Sequence, residues 1–208
     1  MSDALTIEPE IASTDEDLLA AIGKADEVAF EELVRRYRDR VYRLTIGMLK
    51  NTAEAEEVCQ EVFLTLFQKA YTYKGKSSAS TWIYRVATNC ALMKLRRQTK
   101  TPELAVESGW LGFEEGYRAP MEHVAKWPKG PEKALLNNEI RVLIESALTQ
   151  LPEKYRIVLL LKDVEGLSLS EISQTLGLTV ASVKSRIHRS RLYIREQLDN
   201  YFKENHRE

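Results

Sequence analysis

Apolar side chains recur at every third or fourth position along most of the chain, which is the period of a helix that buries one face. From Asp15 to about Ala70 the pattern is helical throughout, and it predicts a long amphipathic helix first. The buried stripe of this helix is formed by Phe30, Leu33, Val34, Tyr37, Val41, Leu44 and Met48. Asn51 and Thr52 suit the start of a second helix, because short polar side chains cap free backbone N–H groups.

Two more stretches with a helical period follow. The buried stripe of the second helix is formed by Val58, Phe63, Leu66 and Phe67. A turn-rich segment at residues 73–78 interrupts the pattern, and a third helix is predicted from Thr81 to Arg97. Its inward positions are Trp82, Ile83, Val86, Cys90 and either Leu92 or Met93. Trp82 suits the core or stacking on nucleic acid, and its helical spacing favours the core.

The chain divides into two helical parts with a different segment between them. The absence of a helical period in residues 1–14 predicts a flexible arm. The helical patterns predict a first domain at residues 15–100 and a second domain at residues 132–208. Residues 101–131 predict an extended linker, because residues 99–131 hold four of the six prolines and four of the nine glycines. No stretch alternates as a strand would. The predicted fold class is therefore all-α, with two small helical domains joined by an extended linker.

Residues 166–195 carry the sharpest local pattern and predict a helix-turn-helix in the second domain. Ser168 and Glu171 form a capping box, and Gly177 supplies the left-handed stop of a two-turn helix. Thr179 can cap the next helix. The outer face of that helix holds Ser182, Lys184, Ser185, His188 and Arg189, and Arg186, Arg191 and Arg195 add further positive charge. This face suits the major groove of duplex DNA, whereas an ordinary helical hairpin with a solvated basic face is the alternative.

Charge is distributed unevenly, although the formal net charge is only -1. The formal net charge is -7 for residues 1–73 and +7 for residues 74–100, which contain no acid. It is -2 for residues 101–131 and +1 for residues 132–208. The acid-free stretch offers a local surface for an anion such as the nucleic-acid backbone. A solvated helix face is the alternative interpretation.

Composition argues against several classes of function. The chain is 44% hydrophobic and 29% charged, which is typical of a globular protein. No apolar stretch approaches the roughly 20 residues that span a bilayer, and no signal-peptide pattern is present, so we expect a cytoplasmic protein without membrane insertion. Cys59 and Cys90 form no ligand pattern with the three histidines. Because no phosphate loop or paired nucleophile and base appears either, we expect no catalytic residue, metal or cofactor.

Two separated blocks resemble one family. Residues 54–97 read EAEEVCQEVFLTLFQKAYTYKGKSSASTWIYRVATNCALMKLRR, and residues 151–191 read LPEKYRIVLLLKDVEGLSLSEISQTLGLTVASVKSRIHRSR. They resemble regions two and four of bacterial group-four (extracytoplasmic-function, ECF) sigma factors of the sigma-70 family. Residues 101–131 are too short for the region three of larger sigma factors. The resemblance implies a protein that binds core RNA polymerase, directs it to specific promoters and promotes DNA melting, in a stress or envelope response under anti-sigma control.

The resemblance also implies where the partners bind. Core RNA polymerase would contact the chain through its β′ clamp and β flap, with the clamp on Glu57, Gln60 and Glu61. The opened downstream (minus-ten) element would contact Lys74, Gly75, Lys76, Ser77, Ser78, Ser80, Arg85, Asn89, Lys94, Arg96 and Arg97. The duplex upstream (minus-thirty-five) element would contact Ser182, Lys184, Ser185, Arg186, His188, Arg189 and Arg191. A glycine-serine loop can approach an extruded base closely, and an asparagine amide can pair with its edge.

Two other classes of function remain as alternatives at this point. A stand-alone regulator would bind an operator as a dimer, but it gives no role to the basic loop or to the helix with Gln60 and Glu61. An enzyme would need a recognisable reactive group, which the sequence does not offer.

Overall fold

The computed structural model describes the backbone of residues 13–98 and 132–205, with side chains described for 13–98 and 139–203. The predicted arm and linker therefore lie almost wholly outside the described residues. The helices are α1 (Asp15–Ile22), α2 (Glu27–Leu49), α3 (Thr52–Lys69), α4 (Ala79–Gln98), α5 (Glu132–Gln150), α6 (Glu153–Leu159), α7 (Leu169–Leu176) and α8 (Val180–Asn205). No strand occurs in either described range. The all-α fold class is thereby confirmed.

The first predicted helix is in fact two helices, α1 and α2, so the prediction of one continuous helix was wrong. The chain turns at Ala25, whose φ of 64° is left-handed, and Asp26 then caps α2 by accepting a hydrogen bond from the Ala29 N–H at 3.0 Å. Apolar periodicity continues across this turn because α1 packs on the same core as α2. Thr14 starts α1 with a capping box to Asp17. The predicted start of the next helix is confirmed, since Asn51 caps α3 through the Glu54 N–H.

The N-terminal bundle (α1–α4) buries most of its predicted stripes. Leu33, Val41 and Leu66 are fully buried, as the helical period predicts. Phe67 was predicted to be buried but is 36% exposed, and its ring packs edge-on against Phe30 with centroids 5.0 Å apart. Trp82 is half-buried against the core beside Tyr73, which agrees with the favoured core interpretation.

The C-terminal bundle (α5–α8) contains the predicted helix-turn-helix. Ser168 and Glu171 form both hydrogen bonds of the capping box, and Gly177 ends α7 with a φ of 66°. Thr179 accepts a hydrogen bond from the Ser182 N–H at 3.1 Å and so caps α8. A π-helical turn at residues 160–164 follows α6, and its Leu160 and Leu161 side chains pack in the core shared with the N-terminal bundle.

The two bundles share one continuous core. Ile157, Leu161 and Ile172 of the C-terminal bundle belong to the same buried apolar cluster as Leu33 and Ile83 of the N-terminal bundle. A smaller cluster, formed by Leu151, Tyr155 and Leu159, packs inside the C-terminal bundle on Tyr193 and Ile194 of α8. The sequence predicted two separate units and gave no signal for this contact. None of the helices in the described ranges is long and apolar enough to span a membrane.

Gly177 offers a clean test of the helix-turn-helix geometry. A Cβ at this position would meet nothing within 4 Å, so Gly177→Ala changes only the backbone preference. Because an L-residue in the left-handed region costs roughly 1–2 kcal/mol, we expect the free energy of unfolding to fall by about that amount. Urea unfolding followed by circular dichroism measures it. Ser170→Ala, on the exposed side of α7, is the matched control and should change it by less than about 0.5 kcal/mol.

Candidate nucleic-acid and polymerase interface

The loop before α4 is exposed and built on one left-handed residue. Gly75 has a φ of 67°, and a Cβ atom placed there would have no other atom within 4 Å. The Tyr73 hydroxyl donates to the Ser77 carbonyl oxygen at 2.8 Å, and the Ser78 hydroxyl accepts from the Thr81 N–H at 3.3 Å. Lys74 and Lys76 extend into solvent. The result is a fixed loop whose outer surface is open to a ligand.

The predicted strand-binding residues of α4 do not share one face of the helix, since Lys94 lies opposite Arg85 and pairs with Glu57 of α3. Asn89, Arg96 and Arg97 are exposed. Arg85 is half-buried, and its guanidinium donates to the backbone oxygen of Gln174 in α7 at 2.8 Å. Spacings of four and seven residues place Arg85, Asn89 and Arg96 on one face of α4. The loop and this face of α4 therefore form one basic surface.

The three predicted polymerase-binding residues of α3 are divided between two surroundings. Glu57 forms an ion pair with Lys94 of α4 at 2.6 Å, so a predicted polymerase contact and a predicted DNA contact are paired in the free chain. Gln60 instead lines a groove between α2 and α3, together with apolar side chains such as Phe63 and Leu64. Glu61, one turn after Glu57, is half-buried on the α4 side.

Cys59 also lines this groove and is 8% exposed. Burial raises the pKa of its thiol, with the nearby Arg38 acting in the opposite direction. Burial likewise raises the pKa of Cys90 on α4. Both side chains therefore behave as apolar packing groups at neutral pH.

The outer face of α8 is the predicted duplex-binding surface. Lys184, Ser185 and His188 are exposed on it. Ser182 and Arg186 are half-buried beside them.

Two predicted duplex contacts have protein partners instead. The Arg189 guanidinium donates to the Tyr155 hydroxyl at 3.3 Å. The Arg191 guanidinium forms a bidentate ion pair with the Asp163 carboxylate, with nitrogen–oxygen distances of 2.6 and 3.2 Å. Sequence spacing could not reveal these contacts, because Tyr155 and Asp163 lie about 30 residues earlier in the chain.

Glu171 has a role that its capping motif did not predict. Its side chain accepts the Ser168 N–H at 2.8 Å, and it also lies 3.3 Å from the Ser78 hydroxyl and 3.4 Å from that of Thr81. The hydrogen bonds from Ser168 lower the pKa of Glu171 most, and those from Ser78 and Thr81 add to the effect. One carboxylate therefore joins the helix-turn-helix to the basic loop.

No group of three or more potential metal ligands comes together in the part of the chain that the structure describes. The exposed predicted DNA-binding residues of the loop, α4 and α8 carry cations, hydroxyls, one amide and one imidazole. Such groups bind nucleic-acid phosphates and base edges.

Comparison with known proteins agrees with this picture. Residues 33–101 match the family model described as Sigma-70 region 2, and residues 141–194 match that described as Sigma-70, region 4. The chain is similar to the ECF RNA polymerase sigma factor SigW of Bacillus subtilis, with 36% identity over 85% of this chain and 92% of that protein. It is also similar to the RNA polymerase sigma-H factor of Pseudomonas aeruginosa, with 32% identity over 91% of this chain and 96% of that protein.

Solved structures show the same fold. The structure of CnrH in complex with the cytosolic domain of CnrY matches with a TM-score of 0.63 at 21% identity, over 90% of this chain and 99% of that one. The sigma factor RpoE of Bartonella quintana, solved with the anti-sigma factor NepR, matches with a TM-score of 0.58 at 18% identity, over 82% of this chain and 96% of that one. The chain belongs to the ECF sigma factors of the sigma-70 family. Its function is promoter-specific initiation of transcription, and the family consists of transcription factors rather than enzymes.

The lowered pKa of Glu171 predicts a pH-dependent contribution to stability. An ionised Glu171 stabilises the fold fully above its usual pKa of 4.5, and this stabilisation is lost as pH falls through the lower pKa of the folded state. Glu171→Gln removes the charge but keeps a side chain that can complete a capping box. We expect the variant to unfold at lower urea than the parent chain at pH 7, and the difference to shrink as the pH falls below 4.5. A difference that is constant with pH would contradict the role of the charge.

Proposed function

We propose that this chain recruits core RNA polymerase through α3, captures an opened DNA strand with the basic loop and α4, and reads an upstream duplex element with α8. The main support for these separate roles is that the chain has two distinct exposed surfaces, one on the loop and α4 and one on α8, with different chemistry. The loop and α4 surface combines cations with Gly75, Ser78 and the Asn89 amide. The α8 surface instead exposes Lys184, Ser185 and His188.

The loop and α4 suit single-stranded DNA better than duplex. The exposed Asn89 amide offers a donor and an acceptor, which can pair with the Watson–Crick edge of a base once that base has left its own pair. Gly75 has no side chain and open space around its Cα, so a base can approach the backbone there. Arg96 and Arg97 are exposed beyond Asn89 and can hold the strand backbone.

The groove between α2 and α3 suits a helical partner. It has apolar walls from residues such as Phe30 and Leu64, which is 61% exposed, and polar groups at its rim, including Gln60 and Asp39. Apolar grooves with polar rims bind amphipathic helices, and we assign this one to the β′ clamp of core polymerase. Glu57 and Glu61 lie on the α4 side of the same helix, outside the lining of this groove, and we assign the β flap to the C-terminal bundle.

The exposed residues of α8 suit the major groove of the upstream element. Lys184 and Ser185 stand near the N-terminal end of the helix, which is the end that reaches base edges in helix-turn-helix proteins. Arg186 and Arg191 suit phosphate contacts. Arg189 is held by Tyr155 and fits a role in positioning the helix.

Regulation by an anti-sigma factor is also part of this proposal. The relatives CnrH and RpoE were solved with the cytosolic domain of CnrY and with the anti-sigma factor NepR. We propose that this chain has an anti-sigma partner as well, in a stress or envelope response, and that it acts with polymerase in the cytoplasm. It needs no cofactor or catalytic group for these roles.

The central test is transcription by purified core polymerase from a promoter library, with and without this chain. Addition of the chain should activate a defined subset of promoters. If the chain neither co-elutes with core polymerase nor activates any promoter, the proposed function is wrong.

Two substitutions should separate promoter binding from promoter opening. Asn89→Ala should reduce opening more than formation of the closed complex, because a base is captured only after the strands part. Lys184→Ala should reduce closed-complex formation and relax sequence preference at the upstream element, at roughly 1–3 kcal/mol for the affected base pair. Filter binding measures the closed complex, and permanganate footprinting measures opening. Lys203→Ala, an exposed cation near the end of α8, is the control. Equal loss of closed complex in both variants would contradict the proposal.

The Asp163–Arg191 pair predicts how charge at α8 controls affinity. Arg191 must exchange Asp163 for a phosphate, so Asp163→Asn should strengthen binding of the holoenzyme to all promoters by a similar factor. Arg191→Ala should weaken all promoters similarly and flatten the plot of log affinity against log salt by about one unit. Asp199→Asn, which changes the same charge at the weaker Arg195 pair, is the control. An effect of Asp163→Asn that persists in the Arg191→Ala background would show that Arg191 is not the group released.

A further inference from the structure

The first turn of α8 exposes a small apolar surface. Val180 and Ala181 are the first two residues of the helix, and both are exposed to solvent. Val180 is 40% exposed, and within the described residues it is the only large apolar side chain of α8 that is exposed. The Thr179 hydroxyl accepts a hydrogen bond from the Ser182 N–H, so the backbone beneath these side chains is fixed by a cap. Val180 and Ala181 together are called the apolar tip.

The apolar tip is continuous with the polar face of α8 that we assign to duplex DNA. Lys184 follows Val180 by four residues and Ala181 by three, and Ser185 follows Ala181 by four. Residues at these spacings are neighbours on a helix surface, with Cβ atoms about 5–6 Å apart. Lys184 and Ser185 are exposed as well. A duplex that lies against these two side chains therefore also meets the apolar tip.

The charge of the first turn suits contact with DNA. The first turns of α1, α2, α3, α6 and α7 each hold an acidic residue, which stabilises the positive end of a helix. The first turn of α8 holds none, and neither does that of α4, the other helix assigned to DNA. Helix stability favours a carboxylate over valine in this turn, but a carboxylate would repel the phosphates beside the major groove. The composition of the tip therefore suits DNA better than it suits helix stability.

The 5-methyl group of thymine is the part of duplex DNA that matches the tip. Thymine presents this methyl group in the major groove, whereas the other base edges present hydrogen-bond donors and acceptors. Valine and alanine side chains cannot pair with a donor or acceptor, and a base edge buried against them would lose its bond to water. Against a methyl group they gain apolar burial instead. The N-terminal residues of the second helix are also those that reach base edges in helix-turn-helix proteins.

We propose that the apolar tip recognises the 5-methyl group of a thymine in the upstream element. Four residues of helix rise by about 6 Å, which is close to two base pairs at about 3.4 Å each. The thymine should therefore lie within about two base pairs of the pair that Lys184 contacts. This inference rests on the proposed function, because it names a base that α8 reads.

Substitution of single atoms in the DNA tests the contact directly. In a promoter that the holoenzyme activates, each thymine of the upstream element is replaced in turn by uracil, which pairs in the same way but lacks the methyl group. Binding of the complete holoenzyme to each duplex is measured by filter binding. We expect the affinity to fall about fourfold at one thymine, as for burial of one methyl group, and to change little at the others.

A variant of the tip shows whether the chain reads that methyl group. Val180→Ala removes two methyl groups and keeps a residue that favours helix, so the fold should be retained. It should weaken binding to the thymine promoter, but the further loss on uracil substitution should then be less than about twofold, because the two changes remove one contact. Val28→Ala, the same change at an exposed valine in the first turn of α2, is the matched control. It should leave the thymine-to-uracil ratio at the value of the parent chain.

Three results would overturn the thymine contact. The first is a parent holoenzyme that binds every uracil promoter as tightly as the thymine promoter. The second is a thymine-to-uracil ratio that Val180→Ala leaves unchanged, which would assign the loss to DNA shape or to another side chain. The third is a sensitive thymine more than about two base pairs from the pair at which Lys184→Ala relaxes sequence preference. If Lys184→Ala still relaxes that preference, reading of the upstream element by α8 stands without the tip. A holoenzyme that binds no promoter would instead refute the proposed function and this inference together.

Discussion

The buried carboxylate of Glu165 is the interaction on which the arrangement of this molecule depends. It joins the turn after α6 to Tyr84 of α4 and to Arg40 and Arg43 of α2, so two helices of one bundle converge on a single side chain of the other. The shared apolar core holds the bundles together without defining their register, because apolar contact is not directional. Hydrogen bonds and ion pairs are directional, and this cluster therefore fixes how the helix-turn-helix lies on the basic loop.

The position fixed by Glu165 has direct consequences for both DNA-binding surfaces. The Glu171 carboxylate reaches the basic loop, and Arg85 of α4 reaches the backbone of α7. The outer face of α8, with Lys184 and His188, remains exposed. The helix-turn-helix and the basic loop are thus in direct contact, while the outer face of α8 stays open to solvent.

Sequence reasoning succeeded where structure is local. The capping box at Ser168, the stop at Gly177 and the cap at Asn51 follow from side chains within four residues of the groups they satisfy. It failed at the turn near Ala25, because α1 and α2 bury their apolar faces in one core and keep a continuous period. It also missed the partners of Glu165, since no spacing links residues about 80 to 125 positions apart. Assignment of individual side chains to DNA or polymerase stays a prediction.

A common feature of the predicted DNA-binding cations is that several already have protein partners. Lys94 is paired with Glu57, Arg191 with Asp163, and Arg85 with a backbone oxygen of α7. Each must give up that partner before it neutralises a phosphate, so its gain on DNA binding is smaller than that of a free cation. With an overall charge of -1, the free chain has little long-range attraction for DNA. A partner that brings the chain to DNA compensates for this weak attraction, and core polymerase fits that requirement.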